Sequence, residues 1–407
     1  MAISLKESIY FGFSDFWSRK VRSLVTIIGI ILGTMSIIVV LSLVNGINKQ
    51  TLQWMMERGG LSKITVRRNW RYDNPNNART YFTWKEIKFI RSLVPEAKYM
   101  NPQKNYWLRH SYEDKEYNCS INGVLPDFTK IEEWDTENGR FISEFDVNQS
   151  NDVIVIGTMV KEELFGNKNP LGQFITVHGR RLQVIGIMKH RYMKGNNIGN
   201  ENALSYLNRR TFIPLSTMIH KGTGDDNIST LALKAHDAES APELRKKLEA
   251  IILNLRHGEP VFMIESAQEE AEEMAQSQKT FQIIFFIISI ISLLVGGIVI
   301  ANIMLASIQE RTREIGIRLT VGARRRDIFI QFLVQTVLIT FIGGILGTLV
   351  GLSILEMVSG YLEIKLIAEL SMVLIALTVS VGIGLLAGII PAIMASKLNP
   401  VEALRYE

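Results

Sequence analysis

Polar and apolar positions along the chain separate into two regimes. Four runs carry no charged residue, from Ser23 to Val44, Thr280 to Gln309, Ile328 to Leu355 and Leu370 to Ser396. A helix crossing about 30 Å of hydrocarbon needs roughly 20 such residues, so each run predicts a transmembrane helix, spanning 23–44, 280–308, 328–355 and 370–396. Between the first two lies a block of ordinary mixed polarity, 45–279. Within it, short apolar stretches bounded by turn residues predict strands at 62–68, 118–124, 153–157, 173–179, 181–188, 229–235 and 261–266, with a helix at 242–256. The fold class predicted is a membrane protein with four transmembrane α-helices and a large α+β extracytoplasmic domain inserted between spans one and two. The connectors at 309–327 and 356–369 are short, and 397–407 forms a tail.

Helical character continues beyond two of the apolar runs. After the first span only Gly46 weakens the pattern before the Gly59-Gly60 pair, a plausible stop, and Ile47, Leu52 and Met55 keep an apolar stripe. Upstream of the second, SAQEEAEEMAQSQK (266–279) is rich in helix formers and contains no proline or glycine. A helix from Ser266 to Ser307 would be about 60 Å long, about twice the hydrocarbon thickness. Both read as stalks joining the domain to the bilayer; the plainer alternative for the second is a solvated glutamate-rich helix. At the N-terminus, Leu5, Ile9, Phe13, Phe16 and Trp17 fall near one helical face, so 1–22 reads as an amphipathic helix on the inner leaflet or else as a basic tail.

Glycines recur at helical spacing inside the spans: Gly29 and Gly33, then Gly343, Gly347 and Gly351, then Gly384 and Gly388. Small residues at this spacing let helices approach closely, although glycine is also simply tolerated in membranes. No acid or base lies inside any span, though Gln282, Gln331 and Gln335 are polar. Ion-coupled carriers usually place an ionisable group at that depth, so the energy source is expected elsewhere.

Charge fixes the expected orientation. Lys6, Arg19, Lys20 and Arg22 precede span one. Arg311, Arg313, Arg318, Arg324, Arg325 and Arg326 fill the loop between spans two and three, whereas the opposite loop sets Lys365 against Glu356, Glu363 and Glu369. Basic short loops stay cytoplasmic, which predicts cytoplasmic termini and an exterior domain. The formal net charge of +5 then reflects topology, and no interleaving of basic and aromatic residues suggests nucleic acid. A single cysteine, Cys119, excludes an intrachain disulfide and reads as a small buried hydrophobe.

Catalytic chemistry is hard to find. The sequence has no GxxxxGK[ST] phosphate loop, no HExxH and no GxSxG, and its six histidines show no ligand spacing. No metal site, catalytic residue or substrate-binding residue is assigned, and the chain is not expected to hydrolyse ATP by itself. The segment QERTREIGIRLTVGARRRDI (309–328) stands out. As a helix from Glu310 to Leu319 it would present Ile315 and Leu319 to a partner's groove, with Arg311, Arg318 and Arg324 to Arg326 facing acidic protein or lipid. The simpler reading is a positive-inside anchor.

RTREIGIRLTVGARRRDIFIQFL closely resembles the motif at this point in MacB-type, FtsX-like permeases of ABC transporters. PAIMASKLNPVEALRYE is similar to the ending of that family. VRSLVTIIGIILG (21–33) resembles its first span, and GRF (139–141) followed by NDVIVIGTMVKEELFGNKNPLGQFITVHGRRLQVIGIM (151–188) resembles its extracytoplasmic core. The resemblance covers nearly the whole chain. It implies an inner-membrane permease, in a homodimer or related heterodimer, bound to a cytoplasmic ATPase subunit that holds ATP and Mg, with no cofactor in this chain. Glu310, Arg311, Arg313, Glu314, Ile315, Arg318, Leu319, Gly322 and Ala323 would couple to that ATPase, and Gly29, Gly33, Gly343, Gly347 and Gly351 would pack the helices. Energy would pass through long helices to the periplasmic domain (mechanotransmission) and drive export, with a periplasmic adaptor and outer-membrane channel as further partners. Relatives with the same topology regulate cell-wall hydrolases, sense antimicrobial peptides or release lipoproteins. One departure is Gln335, where many members carry glutamate.

Overall fold

The structure, a computed structural model, describes residues 20–193, 202–362, 364 and 366–405. The amphipathic helix expected before Lys20 lies outside the described residues. In chain order the principal elements are α1 (Lys20–Met56), β1 (Lys63–Arg68), α2 (Trp84–Leu93), β2 (Tyr99–Tyr112), β3 (Lys115–Val124), α3 (Phe128–Glu132), β4 (Thr136–Gly139), α4 (Glu144–Asn148), β5 (Val153–Ile156), α5 (Thr158–Phe165), β6 (Phe174–Val177) and β7 (Arg180–Met188). There follow β8 (Arg210–Pro214), β9 (Thr230–Lys234), α6 (Ala241–Leu255), β10 (Phe262–Ser266), α7 (Ala267–Glu310), α8 (Thr312–Thr320), α9 (Arg325–Leu362), α10 (Leu370–Ser396) and α11 (Pro400–Arg405). They divide into two compact units, one of residues up to Asn48 with Ser277 onward, the other Lys49–Gln276.

The first unit contains four helices long and apolar enough to cross a membrane. Its helices meet where side chains are absent. A Cβ on Gly29 would lie 3.1 Å from the Cα of Gly296, and one on Gly33 would lie 2.4 Å from Leu293 Cγ. On α9, a Cβ at Gly343 would touch Ile30 at 3.0 Å and one at Gly351 would lie 3.4 Å from Met35 Cα, while one at Gly347 would overlap Thr34 Oγ1. Gly384 and Gly388 of α10 sit against Thr340 and Thr336 in the same way. Polar groups inside the unit bond locally or across helices: Thr34 Oγ1 donates to Ile30 O at 2.6 Å, Ser380 Oγ donates to Thr340 O at 3.3 Å, and Ser36 and Ser289 share a 2.8 Å hydrogen bond. Buried Ile30, Ile37, Leu293, Ile300, Met304 and Phe332 fill the space between.

α1 ends at Gly59 and Gly60, with φ of +107° and +77°. A Cβ at Gly59 would approach Ile131 O to 2.5 Å, so left-handed backbone and close packing both require glycine there.

The second unit is built on a ten-stranded sheet in the order β10-β1-β9-β2-β3-β8-β5-β7-β4. β2 is its pivot: Tyr99–Gln103 pair with β9, and Lys104–Tyr112 pair with β3. On the first side, α2 and α6 pack against β1, β9 and β10 through Ile64, Ile90, Leu231, Leu244 and Leu248. On the other, β6 pairs with both β2 and β7, so β2-β3-β8-β5-β7-β6 close into a ring around Ile121, Ile154, Ile175, Leu182 and Ile213, joined by Val160 and Leu164 of α5.

Each strand expected from the sequence is present within a few residues, and α6 coincides with the helix expected at 242–256 to within one residue at each end. β2, β4 and β8 were not foreseen. β2 reads YMNPQKNYWLRHSY, with little alternation and a proline that demotes a strand, yet Pro102 sits opposite Leu231 inside the ladder. α2 was also missed, although Thr83 and Glu86 form a capping box at its start, a signal readable in sequence.

Candidate functional site

α8 lies in the only short connector rich in arginine, and its surroundings follow from single residues. α7 ends at Glu310, where Arg311 leaves helical geometry with φ −105° and ψ +14°. Thr312 Oγ1 bonds back to Ile308 O at 3.0 Å and Gln309 O at 2.9 Å, satisfying the last carbonyls of α7. The far end of α8 closes with Gly322 at φ +106°; Ala323 N donates to Arg318 O at 3.0 Å and Gly322 N donates to Leu319 O at 3.2 Å. This paired closure is the Schellman stop, which wants glycine at its left-handed position. Gly322 and Ala323 therefore end the helix.

α11 forms the floor. Asn399 Oδ1 accepts from Val401 N at 3.3 Å and Asn399 O accepts from Ala403 N at 2.9 Å, with Pro400 at the first helical position, where its missing N–H costs nothing. Ala403 is buried, and a Cβ on Gly316 would fall 2.7 Å from its Cβ, so Gly316 permits α8 to rest on α11. Arg318 Nη1 donates to Gln331 Oε1 of α9 at 2.9 Å, tying the helix to the third span. Gln335, one turn further along, is also buried.

The expected docking pair must be corrected. Ile315 is only 4% exposed and belongs to the unit's own core, and Leu319 is half-buried against the same core. The helical phase instead turns out Ile317, 47% exposed, and Val321, 83% exposed, four residues apart on one face. Arg313, Glu314, Thr320, Gly322, Arg324, Arg325 and Arg326 are exposed around them, with Arg311 and Ala323 half-buried. The resulting surface is an apolar pair framed by guanidinium groups. Ile317, Val321 and the α11 floor were not singled out in the sequence; the Asn-Pro pair at 399–400 was a readable sign of a helix start.

In the other unit, His110 and Cys119 lie 3.2 Å apart, Nδ1 to Sγ, and both are fully buried. Burial pushes the imidazole down to about 4 and the thiol up to about 12. Both stay neutral at physiological pH, so the pair holds no thiolate for nucleophilic chemistry. His110 Nε2 shares a 2.9 Å bond with Thr211 Oγ1, which makes it a bonded core group.

Comparison with known proteins agrees with this architecture. Residues 23–251 match the MacB-like periplasmic core domain, and residues 286–400 match the FtsX-like permease C-terminal domain. The chain belongs to the MacB-like, FtsX-type permease family. The macrolide export ATP-binding/permease protein MacB of Bdellovibrio bacteriovorus is 30% identical over 98% of this chain and 62% of its own length. The pyoverdine export ATP-binding/permease protein PvdT of Pseudomonas aeruginosa is 30% identical over 98% of this chain and 58% of its own length. The chain thus spans about 60% of the curated relatives it matches. The periplasmic region of MacB from Actinobacillus actinomycetemcomitans aligns with 20% identity and a TM-score of 0.45, covering 55% of this chain and 97% of that one. In this family the chain is a multi-pass membrane protein with an extracytoplasmic domain between its first and second spans.

Proposed function

We propose that this chain is the permease subunit of a MacB-like export machine, in which a separate cytoplasmic ATPase seats on α8 and its closure is carried by long helices to the extracytoplasmic domain. The observation that carries the reading is the continuity of α7, 44 residues from Ala267 to Glu310 without a break. At 1.5 Å per residue such a helix is about 66 Å long, twice the hydrocarbon thickness. It begins directly after β10 of the domain sheet and ends at the arginine-framed connector. α1 likewise runs unbroken from the first span to Met56. A continuous helix transmits displacement that a flexible linker would absorb. ATP and Mg belong to the ATPase partner, a second permease completes a dimer, and a periplasmic adaptor with an outer-membrane channel would receive the substrate. The arginine-rich connector favours cytoplasmic termini.

Inserting Gly-Pro after Gln276 tests this. Expected is an assembly that still binds its ATPase and hydrolyses ATP but no longer exports. Transport at the original rate after the insertion would sink the lever reading.

A further inference from the structure

The ring of strands in the domain is not filled to its end. A cavity of about 440 Å³ opens among Leu108, Ile121, Val177, Leu182, Ile213 and Met218, a size within the range of about 300–1,000 Å³ typical of small-molecule sites. β3, β6 and β8 all finish at this end and β7 begins there, as their register requires. The cavity is therefore the mouth of a small barrel, a common location for ligand pockets, and α5 contributes to the core that fills the remainder of the interior.

Its rim carries uneven charge. Lys104 is buried and donates from Nζ to Thr223 Oγ1 at 2.6 Å, to Asp225 O at 3.0 Å and to the Asp225 carboxylate. These bonds clamp the 223–225 segment over the mouth and neutralise its one carboxylate. Opposite, His178 and Gly179 form a two-residue turn with φ of +48° and +78°, the geometry favoured for tight hairpins. That turn fixes Arg180 at the lip, exposed and lining the cavity. Among the described residues, its guanidinium has no ion-pair or hydrogen-bond partner. An apolar well beside one uncompensated guanidinium suits a molecule with the reverse arrangement.

We infer that this barrel mouth is a binding site for a free amphipathic monoanion, its apolar body seated on Leu108, Ile121, Ile213 and Met218 and its carboxylate held by Arg180. This goes beyond the export reading and does not depend on it, because binding is measured without ATPase or nucleotide. The full chain in lipid nanodiscs is irradiated with a diazirine-bearing decanoate, and the attached residues are mapped by mass spectrometry. Labelling is expected at the cavity residues, displaced by decanoate but not by decanol. Arg180→Glu, at an exposed position, is expected to keep its melting temperature and lower the apparent affinity by about tenfold to a hundredfold. Labelling confined to the membrane helices, unchanged labelling in Arg180→Glu, displacement by decanol equal to that by decanoate, or displacement only by a short-chain phosphatidylglycerol would each overturn the assignment.

Discussion

Exchanging Ile315 and Ile317 for alanine, one at a time, separates the buried face of α8 from its outward face. Ile315 is 4% exposed among core residues of the membrane unit, so its truncation removes buried methyl groups and leaves a void, costing about 2–5 kcal/mol. Ile317 is 47% exposed, and truncating such a surface residue changes stability by about 0.5 kcal/mol or less. The order reverses when an ATPase partner is added. Fully burying an isoleucine is worth about 1.5–3 kcal/mol, and Ile317 keeps roughly half of its surface free to be covered. Removing it should therefore cost about 0.8–1.5 kcal/mol of binding, a loss of about fourfold to tenfold in affinity. Melting temperature in detergent reads the first effect and titration with the purified ATPase reads the second. Equal destabilisation by the two variants would refute the assigned helical phase. Undiminished ATPase affinity in Ile317→Ala combined with Val321→Ala would refute the docking surface.

Gly347→Ala should lower the melting temperature through overpacking worth about 1–3 kcal/mol, because its Cβ would overlap Thr34 Oγ1. Thr34→Ala in the same chain should restore part of the loss, while Gly360→Ala, with open space around it, should be harmless. His110 is held down to about 4 by burial, against about 6.5 in the unfolded chain. The unfolded state thus binds the extra proton first, and stability present above pH 6.5 should decline as pH falls toward 4, by up to about 1.4 kcal/mol per pH unit; a melting series on His110→Gln should lack that component. Arg256→Ala should destabilise the domain by about 3–5 kcal/mol, since the buried guanidinium bonds the Glu86 carboxylate and the carbonyls of Arg79 and Tyr81; Arg256→Lys should recover only a fraction, measured by the same melts.

Membrane and domain were legible because two solvents impose two patterns. Hydrocarbon admits no charge for about 20 residues, and that demand is visible at a glance in α1, α7, α9 and α10. Strands with one buried face announce themselves by alternation, as in RLQVIGIM, now β7. β2 does not, because its environment changes along its length. Its first half is sandwiched in the sheet beside β9 and its second half enters the ring, where Trp107 faces out and His110 faces in. A strand serving two cores has no single period to read. β8 is short and almost wholly buried, so RTFIP offers a brief apolar run without alternation.

The surface around α8 shows a different limit. The arginines and the helix were readable, but the side of the helix that faces outward was not, because that depends on what lies beneath it. Ile315 and Ile317 are both isoleucines in one amphipathic turn, and residue type cannot rank them. The decision rests on Gly316, whose missing side chain lets Ala403 of α11 approach from a segment over eighty residues away in sequence. Once that contact exists, 315 and 316 are committed to the interior, and a helical turn of 3.6 residues turns 317 and 321 outward. A tail helix thus selects which residues of α8 face outward. Gly316→Leu, which would push α11 away, should weaken ATPase binding through the orientation of α8 even though residue 316 itself faces inward; affinity unchanged in that variant would show that α8 keeps its phase without the tail.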